Sequence, residues 1–265
     1  MNKVGEKLNS SILRTREAIE KRDEAAIVSL AKKQLDAGAD WLDVNTSVFM
    51  EGEEAALLWA MNAVQRETGA RLMIDSPKPA AIAAALAADR VGDAIVNSVT
   101  LEDDRLNAVL PLVKQYNTGI VALPISPAGV PKTPEERLEN VNKLVERLTA
   151  EGIAPERIYI DPLVETLSAN SGAAAVTLET IRLIHAAHPL VNILCGLSNV
   201  SFGLPRRKLL NAAFLTGAIL AGANAAILDP MDTAIQEAIA SAEALSGRDE
   251  YCMDYIRYCR RTAQK

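Results

Sequence analysis

Short apolar runs recur along the chain at residues 3–8, 41–45, 71–76, 94–99, 119–125, 158–163, 191–199 and 225–231. Most are rich in β-branched residues at consecutive positions, the pattern of parallel strands covered on both faces. Segments 23–38, 53–69, 79–88, 134–152 and 208–222 between them are amphipathic at helical spacing. Ala37-Gly38-Ala39-Asp40 and Ala221-Gly222-Ala223-Asn224 place a glycine where a helix ends and the next strand begins. Eight strands alternating with eight helices, without a linker, predict an α/β protein with one (β/α)8 barrel spanning residues 1–265 as a single domain. An open, doubly wound sheet is the competing arrangement, because alternation alone does not close a ring.

The longest candidate loops, 46–52, 126–133, 164–176 and 200–207, all follow strands. In a barrel they share the C-terminal face, where active sites form. The strand ends are polar: Glu6 and Asn9, Asp43 and Asn45, Asp75 and Ser76, Asn97 and Ser98, Ser126, Asp161, Ser198 and Asn199, and Asp229. Singly, such residues also suit turns and helix N-caps. Carboxylates and carboxamides converging on one mouth suit a polar, planar, largely neutral ligand.

Composition narrows the chemistry. The 265 residues carry 34 acidic against 28 basic side chains, a net charge of −6, with no basic stripe for nucleic acid. No apolar run reaches the ~18 residues of a membrane helix, and the first residues lack the apolar core of a signal peptide, so a soluble cytoplasmic protein is expected. Cys195, Cys252 and Cys259 are spaced as reduced thiols. His185 and His188 fall near a helix end before Pro189, without a third ligand, and no metal site is expected. Neither a phosphate-binding glycine motif nor a Ser–His or Cys–His pairing is present. What remains is recognition by acids and amides, with the reactive group supplied by the ligand or by a partner's cofactor.

Several motifs follow one another in order: Gly5-Glu6-Lys7-Leu8-Asn9, Leu42-Asp43-Val44-Asn45, Ile74-Asp75-Ser76, Val96-Asn97-Ser98, Ile160-Asp161-Pro162-Leu163 and Gly196-Leu197-Ser198-Asn199-Val200-Ser201. Together they resemble, across essentially the whole chain, the methyltetrahydrofolate:corrinoid protein methyltransferases. These belong with the pterin-binding barrels that include dihydropteroate synthase and the folate domain of methionine synthase. The resemblance implies transfer of a methyl group between N5 of tetrahydrofolate and the cobalt of a corrinoid. It implies that Asp75, Asn97 and Asp161 hold the pterin, that Gly196, Ser198 and Phe202 complete its pocket, and that Asn199 faces N5. Glu6, Asn9, Asp43 and Asn45 are expected in support.

An amide cannot supply the proton that N5 gains on losing its methyl group. Asp75 or Asp161, acting through water, is expected to deliver it, with Asn199 orienting the bond. No DxHxxG cobalamin motif occurs, so the resemblance implies a corrinoid protein acting in trans, and also a homodimer. Relatives carry a polar residue where this chain has Phe202, which suggests apolar stacking there. Arg206, Arg207 and Lys208 are candidates for the folate glutamate or an acidic partner face, or else are solvated. Dihydropteroate synthase is the alternative enzyme, although the basic motifs of that family are missing around Leu228-Asp229-Pro230-Met231. A folate-binding module without turnover is the non-enzymatic alternative.

Overall fold

Each apolar run becomes a strand, and the strands close on themselves in chain order, which decides for a barrel over an open sheet. They are β1 (Asn2–Asn9), β2 (Trp41–Asn45), β3 (Leu72–Asp75), β4 (Ile95–Val99), β5 (Gly119–Ala122), β6 (Ile158–Ile160), β7 (Asn192–Gly196) and β8 (Ala225–Leu228), all parallel to their neighbours. The structure is a computed structural model that describes residues 1–263; positions 264 and 265 of the expected domain lie outside the described residues.

Successive side chains of a strand point to opposite faces. Val4, Trp41, Met73, Ile95, Val121, Tyr159, Leu194 and Ala225 point inward and form one apolar cluster that fills the lower barrel. Their strand neighbours, among them Leu42, Leu72, Val96, Ile120, Ile160 and Ile193, point outward into a second, larger core beneath the helices. Two residues beyond the inward apolar layer, each strand reaches its next inward position: Glu6, Asp43, Asp75, Asn97, Leu123, Asp161, Gly196 and Ile227. The interior therefore changes from apolar to mostly polar, with four acids, within one step along the strands.

The helical layer is less regular than one helix per strand. Two helices, α1 (Leu13–Glu20) and α2 (Glu24–Asp36), follow β1. Then come α3 (Glu53–Thr68), α4 (Pro79–Ala88), α5 (Asp103–Tyr116), α6 (Pro134–Ala150), α7 (Ala173–Ala187), α8 (Arg207–Ala221), α9 (Thr233–Leu245) and α10 (Met253–Thr262). The extra helix α1 buries only Thr15 and Ile19, too little apolar surface to produce a helical period in the sequence.

Strand ends also move. The run at 119–125 stops pairing at Ala122, because Pro124 has no N–H to give a ladder. The run at 191–199 ends at Gly196 and turns into a 3₁₀ helix, Leu197–Ser201, which carries Asn199. Within β1 the register shifts between Gly5 and Leu8, where the Lys7 N–H donates to Gln34 Oε1 (2.9 Å) of α2 instead of to a neighbouring strand. Gly5 lies against that same amide, and a Cβ there would stand 2.5 Å from Gln34 Oε1. No helix among the described residues is long and apolar enough to cross a membrane.

Candidate active site

Strand register lines up the polar ends. Asn9 is paired with Asn45, Asn45 with Asp75, and Asp75 with Asn97, a continuous row across β1 to β4 at the C-terminal rim. Asn45 donates its amide N–H to Asp75 Oδ2 (2.7 Å), while its own Oδ1 accepts from the Ser47 N–H (3.0 Å) and hydroxyl (2.8 Å). Asn9 accepts the Ser11 N–H (2.9 Å) in an Asx turn, so it shapes the rim. Asn45, Asp75, Asn97 and Arg105 help line a pocket of ≈ 440 Å³ open to the mouth.

The carboxyl groups here are short of water. Asp43 is 2% exposed, and its Oδ1 has no hydrogen-bond partner. Burial, then the like charges of Asp75 and Glu6, push its pKa well above the usual carboxylate range against a hydrogen bond with Asn97. Of the cluster, Asp43 is therefore the carboxyl pushed most strongly toward its protonated form. Burial also raises Asp75, opposed by the Asn45 amide and the Arg105 guanidinium. Asp161 rises to about 6 through burial, restrained by the backbone N–H groups of Leu163 and Val164 and by Arg137. The Leu163 N–H donates to Asp161 Oδ1 at 2.8 Å, and Leu163 holds φ +63° to make that turn.

Two arginines on helices hold the loops beneath these acids, and neither stood out in the sequence. Arg105 of α5 donates to the carbonyls of Ser98 (2.8 Å), Pro77 (2.7 Å) and Ser76 (2.8 Å), tying the β3 and β4 ends together. Arg137 of α6 is wholly buried and donates to the carbonyls of Pro162 (2.9 Å) and Leu163 (2.8 Å) and to Pro131 (3.3 Å), with an ion pair to Glu165. It fixes the turn that presents Asp161. Glu53, 1% exposed at the start of α3, accepts from the Ser76 hydroxyl. A basic or acidic side chain on a helix reads by default as solvent-facing, and only the fold brings these three under the mouth.

Across the mouth, Ser198 donates its hydroxyl to Glu6 Oε2 (2.7 Å), and Lys7 Nζ bridges Glu6 (3.2 Å) and Asp229 (2.9 Å). Asn199 is exposed and its side chain has no hydrogen-bond partner among the described residues. Gly196 permits its placement, since a Cβ on Gly196 would lie 3.1 Å from Asn199 Nδ2. Phe202 is 67% exposed on the rim with the Arg207 guanidinium 5.9 Å from its ring centre. Its carbonyl accepts from the hydroxyls of Thr166 (2.7 Å) and Ser168 (2.9 Å), joining the loops after β6 and β7.

The three consecutive cations separate. Arg207 donates to Ser201 Oγ (3.0 Å) and the Ser198 carbonyl (2.6 Å), and Lys208 pairs with Asp232 (3.3 Å). Ser126 forms a small turn with Gly129, away from the acidic layer. His185 and His188 sit on the outer helix α7 and at its end, and His188 contacts Asn142 (2.7 Å). Among the described residues no group of three or more His, Cys, Asp or Glu is placed to hold a metal. The site as built offers buried carboxyls with raised pKa values, a tethered amide at Asn45 and an unpaired amide at Asn199 around a concave mouth. That donor and acceptor set fits the edge of a heterocycle such as a pterin.

The sequence model of the family described as "Pterin binding enzyme" matches residues 9–229. The chain is 36% identical over 256 residues to a methylcorrinoid:tetrahydrofolate methyltransferase of Eubacterium limosum, covering 96% of this chain and 94% of the relative. It is 29% identical over 238 residues to methionine synthase of Mycobacterium tuberculosis, where it spans 20% of that longer protein. Among solved structures, dihydropteroate synthase from Coxiella burnetii in complex with pteroic acid superposes with a TM-score of 0.70 at 20% identity, covering 94% of both chains. At that identity the likeness concerns the fold.

Replacing Arg137 with Met removes the buried guanidinium and its bonds to the Pro131, Pro162 and Leu163 carbonyls and to Glu165. Chemical denaturation should register a loss of roughly 3 kcal/mol, the scale of a broken buried charge network. A loss below about 1 kcal/mol would mean that the Asp161 turn holds without it.

Proposed function

We propose that this chain, which belongs to the family of pterin binding enzymes, is a methyltransferase that moves a methyl group between N5 of tetrahydrofolate and the cobalt of a corrinoid held by a separate protein. The observation that carries this reading is a fixed row of hydrogen-bonding groups facing one uncommitted amide, in a chain closely related to an enzyme named for that reaction.

In this reading the pterin lies across the acidic layer. Asp75, Asn97 and Asp161 meet its N1, 2-amino and N3 edge, where a carboxylate takes an amino N–H and a ring N–H together. Gly196 and Ser198 border the reduced ring, and the exposed face of Phe202 covers it. Glu6, Asn9, Asp43 and Asn45 support this layer from below and from the rim. When the methyl group leaves, the N5–CH3 bond breaks, the cobalt–CH3 bond forms, and charge builds on N5. The Asn199 amide donates to N5 and strengthens that bond as the charge grows, which lowers the barrier instead of merely tightening binding. The proton passes through water from the carboxyl cluster, by way of Asp75 or Asp161. The corrinoid cobalt is the nucleophile and needs no base from this chain. In the reverse direction the same residues take the proton back.

Apolar residues on the mouth loops suit a docked partner. Val48, Met50, Val130, Phe202 and Met231 are all exposed there, and clustered exposed apolar surface marks contact sites. We place the enzyme in the cytoplasm as a homodimer, a state supported by exposed Leu209 and Leu220 on α8 and Leu245 on α9.

The test is direct. Purified protein, 5-methyltetrahydrofolate and cob(I)alamin should give methylcobalamin, followed by the cobalt absorption spectrum. No spectral change beyond the uncatalysed rate would overturn the assignment. Asn199→Ala should slow single-turnover transfer about 100-fold with folate affinity little altered; a weakened affinity at an unchanged rate would reverse its role. Asp161 must be ionised to accept from the pterin, and its pKa lies at about 6. Folate affinity should therefore hold above neutrality and decline as pH falls through about 6, the carboxylate being lost on protonation. Calorimetric titration of Asp161→Asn should find weaker binding without that pH dependence.

A further inference from the structure

Beside the mouth, a groove of ≈ 580 Å³ opens between α1, α2 and the segment after β8. Ile12, Leu30 and Met231 form its apolar surface, and Lys7, Arg14 and Lys33 stand around it. Arg14 and Lys33 are exposed, and neither side chain has a hydrogen bond or ion pair among the described residues. Nothing in the methyl-transfer chemistry uses this groove.

Its position follows from the orientation of the pterin. The pyrimidine edge is assigned to the row that runs from β3 through β6, and N5 to Asn199 just after β7. C6 is bonded to N5 and carries the rest of the folate, a p-aminobenzoyl ring ending in glutamate. That substituent must leave on the side of the ring next to N5, toward β8 and β1. A continuous run of contacts leads the same way: Ser198 to Glu6 (2.7 Å), Glu6 to Lys7 (3.2 Å), and Lys7, which also holds Asp229 (2.9 Å), on to the groove it lines.

Charge sorts the alternatives. The mouth itself holds Glu6, Asp75, Asp161 and Asp229 against only Lys7 and Arg105, an acidic excess that disfavours a glutamate tail. Of the cations after β7, Arg207 and Lys208 are already bound to Ser198, Ser201 and Asp232, which leaves exposed Arg206 as a single cation unpaired among the described residues on that side. Arg14 and Lys33 are free and flank an apolar surface, the complement of an aromatic ring with carboxylates at its far end. We propose that this groove is the subsite for the p-aminobenzoyl-glutamate tail, with the ring on Ile12, Leu30 and Met231 and the carboxylates at Arg14 and Lys33. Additional glutamates would extend along the same cationic edge. The inference rests on the pterin orientation proposed above.

Calorimetric titration of wild type and the R14A/K33A double variant with three ligands separates the two readings. The ligands are tetrahydrofolate, its pentaglutamate and 6-methyltetrahydropterin, which has no tail. Wild type should bind the pentaglutamate most tightly. The double variant should lose about fivefold in affinity for tetrahydrofolate, the scale of two exposed ion pairs, and more for the pentaglutamate. Its affinity for 6-methyltetrahydropterin should stay the same, which also shows that the mouth remains folded. Unchanged folate affinity, or an equal loss for the tailless pterin, overturns the tail subsite while leaving the methyltransferase reading in place. Failure of 6-methyltetrahydropterin to bind wild type overturns the pterin reading, and this inference with it.

Discussion

Closing parallel strands into a ring forces every second side chain of each strand into a space with little water, and this chain uses that space for acids. The first inward layer is apolar and packs as a core. The next carries Glu6, Asp43, Asp75 and Asp161 with Asn97, so several carboxyls share one desolvated ring. Isolated buried charge is costly. The cluster answers in two ways. Asp43 is driven toward its protonated form, while Asn45, Arg105, Arg137 and backbone N–H groups partly offset the burial of Asp75 and Asp161.

That compromise suits the chemistry assigned to it. A cluster of carboxyls raised by burial to different extents can accept from ring N–H groups and also pass on the proton that a departing nitrogen needs. Its members are held from behind: Asp75 by Asn45, and the Asp161 turn by a buried arginine on α6. Little rearrangement is then required when charge moves, and preorganised dipoles are effective for this reason. Asn199 differs, an exposed amide with no side-chain partner among the described residues, resting over a glycine at the end of β7. An exposed amide left unpaired at the rim is available for the reacting atom.

Much of this was legible along the chain, because a strand buried on both faces is written as an unbroken apolar run and its exit as a polar residue. The eight strands and the polar ends that bring Asp75 beside Asn97 followed from that, whereas closure of the ring did not, because an open sheet has the same alternation. Ends were harder. Leu197 and Val200 are buried in a 3₁₀ turn, yet in sequence they prolong the apolar run of β7, so the strand seemed to reach Asn199. Helix α1 was hidden by its polarity, with only Thr15 and Ile19 inside. The arginines at 105 and 137 were the largest omission. Each acts on carbonyls of loops that belong to other strands, and helical periodicity carries no trace of such long-range pairing. Lys208 illustrates the reverse case, a cation in a suggestive cluster whose partner, Asp232, emerges only in three dimensions.

The account stands on the acidic layer being the pterin seat, with the methyl-bearing nitrogen turned toward β7. A crystal structure of the protein with 5-methyltetrahydrofolate bound tests this most directly. The ring edge carrying the 2-amino group should lie within hydrogen-bond distance of Asp75, Asn97 and Asp161, and N5 beside the Asn199 amide. A pterin seated elsewhere, or bound with N5 turned away from Asn199 toward β3 and β4, would contradict it.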